Sequence, residues 1–313
     1  VIKIGKADAV SAASILHYNF SSAADPAEYQ EEGNIDYLVK NDKVNLNGRI
    51  IPAGISEIKS FLIDNGIMCR NYSHEKKINF PEKLIFNIKD DSPLLAIIDY
   101  GLGNLFSIKK AFESAGANVM ITDNPEIIEK SDGLILPGVG AFYDGMKGLK
   151  SRGLIEPIKL SAEKGKPLFG ICLGMQLLMT EGEEFGLHKG LDLIKGKAIR
   201  IPRPKASGLQ YKIPHVGWNK VDFSKSQRKN GRLNFKNNKE GDYFYFVHSY
   251  VAAPDNLCDV AGTTNYGDNV FCSVAAKGNI FGCQFHPEKS GKAGLRFCES
   301  IVDFVRNNKN IIA

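Results

Sequence analysis

The chain has 313 residues, a net charge of +5, 43% hydrophobic and 24% charged residues, which suits one large globular domain or two modest ones. No segment approaches the ~18 unbroken apolar residues of a membrane helix, and the opening V-I-K-I-G-K has neither a leader pattern nor a starting Met, as in a fragment or processed product. Six scattered cysteines (Cys69, Cys172, Cys258, Cys272, Cys283, Cys298) without C-x-x-C spacing argue against a zinc site or a disulfide framework and suit a reducing cytoplasm.

Residues 1–92 read as a separate part. Residues 7–16 are an apolar run short enough for a buried strand, residues 20–54 are polar and irregular, and 56–63 have helical spacing with Ser56 as a cap and Gly66 as a stop. One strand and one helix cannot close a core alone. Residues 72–93 are charged, contain Pro81 and Pro93, and suit a linker.

From residue 94 the pattern becomes strand, loop, helix, repeated. Residues 94–98 are all apolar, as in a parallel strand buried on both faces, and 105–115 follow as a helix. Further strands are expected at 118–121, 133–136 and 167–171, the last running straight into Cys172 and a helix at 173–179. Beyond 196 the runs are shorter and more β-like (198–201, 220–223, 243–247, 270–275, 280–284), and a helix at 293–305 closes the chain. The fold class is therefore α/β: an open, mostly parallel sheet with helices on both faces and ligands at the carboxyl ends of the strands. The excess charge is local. Residues 195–240 carry thirteen Lys/Arg against Asp222 and Glu240, a solvated basic face without the aromatic interleaving of a nucleic-acid site.

The strongest chemical signal is G-I-C-L-G-M-Q at 170–176. Gly170 and Gly174 flank Cys172 at two residues on either side, which permits a sharp strand-to-helix turn with the thiol at its apex. The N-terminus of the following helix favours the reactive thiolate. Such a nucleophile needs a base, and the base an orienting group. His286 follows an apolar strand and precedes Pro287, and Glu288 stands two residues on. The tetrahedral intermediate needs N–H donors. The amide of Leu173 is one, and the turn Pro137-Gly138-Val139-Gly140 can bring a second close. A buried inert thiol is the better reading for Cys69, Cys258, Cys272 and Cys298. His17, His74, His188 and His215 lack a comparable setting.

These motifs together resemble class I glutamine amidotransferases, and most closely the glutaminase-subunit family of imidazole glycerol phosphate synthase. The likeness rests on I-I-D-Y-G-L-G-N (97–104), L-P-G-V-G-A-F (136–142), G-I-C-L-G-M-Q, P-H-V-G-W-N (214–219), Y-F-V-H-S-Y (245–250) and G-N-I-F-G-C-Q-F-H-P-E-K-S (278–290). It implies an amidotransferase domain at 93–313 with Cys172, His286 and Glu288 catalytic. It implies Val139 and Leu173 as oxyanion donors, and Gly138, Gly140, Gln176, Glu184, His248, Ser249 and Tyr250 around the glutamine. Asn104, His215 and Trp218 match a docking face for a cyclase (βα)8 barrel in a heterodimer. No metal, cofactor, nucleic acid or membrane is implied. Residues 5–17 and 55–70 resemble the eighth strand, turn and last helix of that cyclase, with Ala13 and Ser14 at its phosphate-binding turn, so 1–92 are a partial cyclase-like segment. Three other readings stand beside this one: the same glutaminase feeding a paralogous synthase that aminates a surface sugar, a cysteine acyl hydrolase or peptidase, and a non-catalytic docking module.

Overall fold

The computed structural model describes residues 92–204, 211–223 and 241–308, with Ser60, Asp64 and Asn238. The chain divides into two compact units, Val1–Leu84 and Ile85–Ala313. In the first, Ser60 and Asp64 are helical. The strand and phosphate turn expected over residues 5–17, Ala13 and Ser14 included, lie outside the described residues.

The second unit is built on a seven-stranded sheet. Its strands are β1 (Leu94–Ile98), β2 (Asn118–Thr122), β3 (Gly133–Leu136), β4 (Leu168–Ile171), β11 (Val260–Tyr266), β12 (Asn269–Lys277) and β13 (Ile280–Cys283), in the order β11-β12-β13-β4-β3-β1-β2. Strands β2, β1, β3, β4 and β13 run parallel; β12 and β11 add an antiparallel edge. Side-chain alternation splits the core. Leu95, Ile97, Phe169 and Ile171 face α1 (Leu105–Ser114) and α6 (Gly291–Asn308) through Ile108, Phe112, Phe297 and Ile301. Ala96, Ile98 and Leu168 face α2 (Pro125–Lys130), α3 (Phe142–Ser151), α4 (Ile155–Glu163) and α5 (Leu173–Leu177). Both faces are covered, which is why these strands carry no polar alternation.

Two smaller sheets flank this frame. One is β10-β7-β5-β6, from β5 (Met179–Gly182), β6 (His188–Lys189), β7 (Ile194–Arg200) and β10 (Tyr250–Pro254). The other is the antiparallel pair of β8 (His215–Lys220) and β9 (Tyr243–His248). No described helix is long and apolar enough to cross a membrane.

Two expectations are corrected. The helix expected at 173–179 stops at Leu177, because the carbonyls of Leu177, Leu178 and Met179 accept hydrogen bonds from the amides of residues 191–194 rather than from a next helical turn. The strand expected at 220–223 lies instead at 215–220, paired with β9; Asp222 keeps a single bridge to Thr263.

Candidate active site

Cys172 stands between β4 and α5 with φ 54° and ψ −109°, a strained conformation for a residue with a side chain. The two glycines make this bend possible. A Cβ on Gly174 would sit on the Leu136 carbonyl, and one on Gly170 would lie 2.7 Å from the Gly174 backbone. The Cys172 amide donates to the Cys283 carbonyl at 2.7 Å, which anchors the bend to the adjacent parallel strand β13. Three residues past the end of β13, His286 donates its amide to the Tyr245 carbonyl at 2.9 Å. The nucleophile candidate and the base candidate are thus carried on neighbouring strand ends.

His286 and Glu288 are both deeply buried, with Nδ1 and Oε1 2.9 Å apart. Burial alone would lower the pKa of the His286 ring. The Cys172 sulfur and the Glu288 carboxylate, acting through hydrogen bonding and charge, outweigh it and raise the pKa to about 10. The Nε2 atom is buried and makes no hydrogen bond; besides Glu288, the nearby Cys172 sulfur is the group that favours the charged ring. An imidazolium held by a carboxylate beside a thiol is the arrangement nucleophilic cysteine chemistry requires.

The Pro137–Gly140 turn packs on the start of α5. A Cβ on Gly138 would lie 2.8 Å from Leu173 Cβ and 2.5 Å from the Tyr100 hydroxyl, which itself donates to the Pro137 carbonyl. Gly140 has φ 100°, a conformation that favours glycine. Val139 and Leu173 therefore sit on two segments in direct contact. Burial, with the nearby charge of Cys172 as a lesser cause, holds the Tyr100 phenol far above its usual range. Glu184 is buried and accepts the Phe142 amide at 2.7 Å, which ties the segment after β5 to the first residue of α3.

Gln176, one turn along α5, is buried and donates Nε2 to the Tyr250 carbonyl at 2.9 Å and to Gln284 Oε1 at 3.1 Å. Both its amide hydrogens are committed within the chain, so Oε1 is the atom left to meet a ligand. His248 is buried, its Nδ1 3.0 Å from the Tyr250 carbonyl and its Nε2 3.1 Å from His215 Nδ1. Ser249 accepts the Ile201 amide through its carbonyl. The Cys172 sulfur lies 4.0 Å from the Val247 carbonyl, so the F-V-H-S-Y segment borders the thiol.

Of the three expected docking residues, His215 is displaced. It is 3% exposed, stacked on Phe246 at 5.0 Å and tilted against Tyr266 at 4.0 Å. Strand alternation turns it inward and leaves Val216 and Trp218 outside; Trp218 is 54% exposed. Asn104 is the residue preceding α1 and makes no side-chain cap. Sequence reasoning gave no role to Gln284, whose Nε2 lies 3.6 Å from the Cys172 sulfur. Its signal was the two-residue spacing to His286, which puts both on one side of an extended chain. Among the described residues no cluster of three His, Cys, Asp or Glu side chains could hold a metal.

The family model described as glutamine amidotransferase class-I matches residues 96–299. A protein named imidazole glycerol phosphate synthase subunit HisH, from Syntrophotalea carbinolica, is 44% identical over 211 residues, covering 67% of this chain and 100% of the relative. The subunit of the same name from Moorella thermoacetica is 46% identical over 216 residues, with 69% and 97% covered. A solved structure described as a glutamine amidotransferase aligns with a TM-score of 0.50 at 18% identity, covering 67% of this chain and 98% of its own, a likeness of fold. By both the family match and these relatives, the chain belongs to the class-I glutamine amidotransferase family.

Proposed function

We propose that the chain is the glutaminase of an imidazole glycerol phosphate synthase. It hydrolyses glutamine to glutamate and ammonia and hands the ammonia to a cyclase (βα)8 barrel that forms imidazole glycerol phosphate and AICAR in histidine biosynthesis. The observation that carries the chemistry is Cys172 at positive φ beside a buried His286–Glu288 pair. The relatives named HisH, matched along essentially their whole length, support the pathway. The five described cysteines are free, which fits a cytoplasmic setting.

In this reading the Cys172 thiolate attacks the glutamine carboxamide carbon, and the amides of Val139 and Leu173 hold the resulting oxyanion. His286, with Nδ1–H fixed on Glu288, gives its Nε2 proton to the leaving nitrogen, and ammonia departs as the C–N bond breaks. Water, deprotonated by the now neutral ring, attacks the glutamyl thioester. Glutamate leaves, and thiolate and imidazolium are restored. Gly138 and Gly140 let the turn approach the substrate. Gln176, Glu184 and the His248–Tyr250 backbone frame the pocket.

An exposed strip fits the barrel partner. Phe106, 78% exposed, lines a hollow of about 480 Å³ with Lys110, Pro287, Glu288 and Leu295. Lys289 then lies over the Tyr245 ring at 5.7 Å, and Trp218 packs edge-on to Tyr245 at 6.0 Å. Asn104 adjoins this strip at the start of α1. A face of aromatic and charged side chains continuous with the His286–Glu288 turn would bring the ammonia source against the partner. We assign residues 93–313 to the amidotransferase domain and residues 1–92 to the cyclase-like segment. The test is glutamine hydrolysis with and without a cyclase barrel. A large increase with the barrel, abolished by Cys172→Ala, is expected. A rate indifferent to the barrel contradicts the partner, and turnover that survives Cys172→Ala contradicts the nucleophile.

A further inference from the structure

Gln284 lies immediately after β13, fully buried, with its backbone amide on the Ser273 carbonyl at 2.9 Å. Its side chain reaches two groups, the Cys172 sulfur at 3.6 Å and Gln176 at 3.1 Å. The chemistry of the neighbours fixes which end faces which. The Tyr250 carbonyl only accepts hydrogen bonds, so Gln176 must present its NH2 group to it. The second hydrogen of that NH2 then points at Gln284, which must answer with its oxygen. Gln284 is left with its own NH2 group toward the sulfur. The same carbonyl orients His248, whose Nδ1–H donates to it, leaving Nε2 to accept from His215 Nδ1. One acceptor-only backbone oxygen thus sets the polarity of a chain running from two buried histidines to the thiol, and neither amide in it can be reversed without setting two acceptors or two donors face to face.

We infer that Gln284 is a thiolate-holding residue of the glutaminase site, an N–H donor aimed at the Cys172 sulfur and locked in that orientation by Gln176 and the Tyr250 carbonyl. The inference rests on the proposed role of Cys172 as nucleophile. A buried sulfur anion needs donors in the way a buried carboxylate does, because water is no longer there to supply them. The charged His286 ring favours the anion by its charge, and the Gln284 amide supplies a neutral donor that carries no proton away during the reaction.

The test is iodoacetamide labelling of Cys172, read by mass spectrometry in the intact full chain. The exposed Cys258 is the internal rate standard, and the buried Cys283 and Cys298 report that the fold is intact. Alkylation by this reagent needs a thiolate and no oxyanion donors, so it isolates the sulfur from the rest of the site. In Gln284→Met, with the donor gone, the Cys172-to-Cys258 labelling ratio near pH 7 is expected to fall about tenfold, as for loss of a hydrogen bond to a charged group. In Gln284→Glu the side chain keeps its size and its acceptor for Gln176, but sets a carboxylate against the sulfur. Of two like charges in contact, the weaker acid, the thiol, keeps its proton, so the ratio is expected to fall further than in the Met variant. A packing role predicts the opposite order, with Glu close to wild type. A Glu variant that labels like wild type, with Cys283 and Cys298 unmodified, overturns the inference while leaving Cys172 as nucleophile. A wild-type Cys172 no more reactive than Cys258 near pH 7 overturns both.

Discussion

Glu288 meets His286 with one carboxylate oxygen, while its second oxygen is buried without a partner. A group so placed is costly unless its charge is used, and here it holds a charged imidazole in one orientation. Glu288→Gln keeps the shape and removes the charge. It is expected to lower kcat for glutamine by roughly 10²–10⁴-fold with a smaller change in KM, the range for a misoriented base. Steady-state kinetics across pH checks this; an unchanged kcat would make the pair structural. At this scale the sequence was informative where a residue type has few uses. A cysteine between glycines and an H-x-E pair at a strand end have narrow chemistry, and the structure brings them together. Gln284 and His215 were less legible, for opposite reasons. A glutamine in a strand has many ordinary uses, and only the folded contact with sulfur singles it out. His215 sits in a motif whose neighbours Val216 and Trp218 are exposed, and strand alternation alone turns it inward.

The bend between β4 and α5 depends on close backbone approach, so its glycines carry most of its sequence specificity. A Cβ on Gly174 would strike the Leu136 carbonyl, and Gly174→Ala is expected to cost about 3 kcal/mol or more, the upper range for overpacking. Denaturant unfolding would show it, and a loss under 1 kcal/mol would contradict the packing described. Gly138→Ala presses on the Tyr100 hydroxyl and on Leu173, so it should reduce glutamine turnover more than it reduces stability. Lys166 is the contrasting case. Its buried amino group donates to the Ile128 and Glu129 carbonyls at 2.8 and 2.6 Å, closing the end of α2. Lys166→Met takes this donor from the Glu129 carbonyl and leaves the Ile128 carbonyl with the Ser131 hydroxyl alone, and is expected to cost roughly 1–3 kcal/mol with kcat unchanged, as measured by unfolding and turnover on the same preparation. The parallel strands were legible because burial on both faces leaves an unbroken apolar run. The end of α5, the position of β8 and the strands β5, β6, β10 and β11 were not, since partners distant in sequence define them. The 190–194 loop takes the carbonyls that would have continued α5, and no local pattern announces that.

Across the whole molecule, three buried histidines set opposite pH limits. Burial lowers the pKa of His248 to about 3, aided by the charges of His215 and His286 and opposed by the Tyr250 carbonyl. Burial likewise lowers that of His215 to about 4. Both bind protons more readily when unfolded, so they cost stability as pH falls from about 6.5 toward 3–4. His286 is the reverse. Its folded value, about 10, exceeds the ordinary 6.5 because Cys172 and Glu288 outweigh burial, so its contribution is fully present below about pH 6.5 and is lost as pH rises toward 10. Thermal unfolding followed across pH is therefore expected to show a maximum near pH 6–7. Cys172→Ala should flatten the alkaline limb and leave the acid limb in place. Limbs that both persist in that variant would separate His286 from the sulfur.

The proposed chemistry runs through a covalent intermediate at one sulfur. Acid-quenching the chain during glutamine turnover with its barrel partner, then mapping peptides by mass spectrometry, is predicted to find a glutamyl thioester on Cys172. An adduct on another cysteine, or steady turnover with no adduct at all and undiminished by Cys172→Ala, would contradict it.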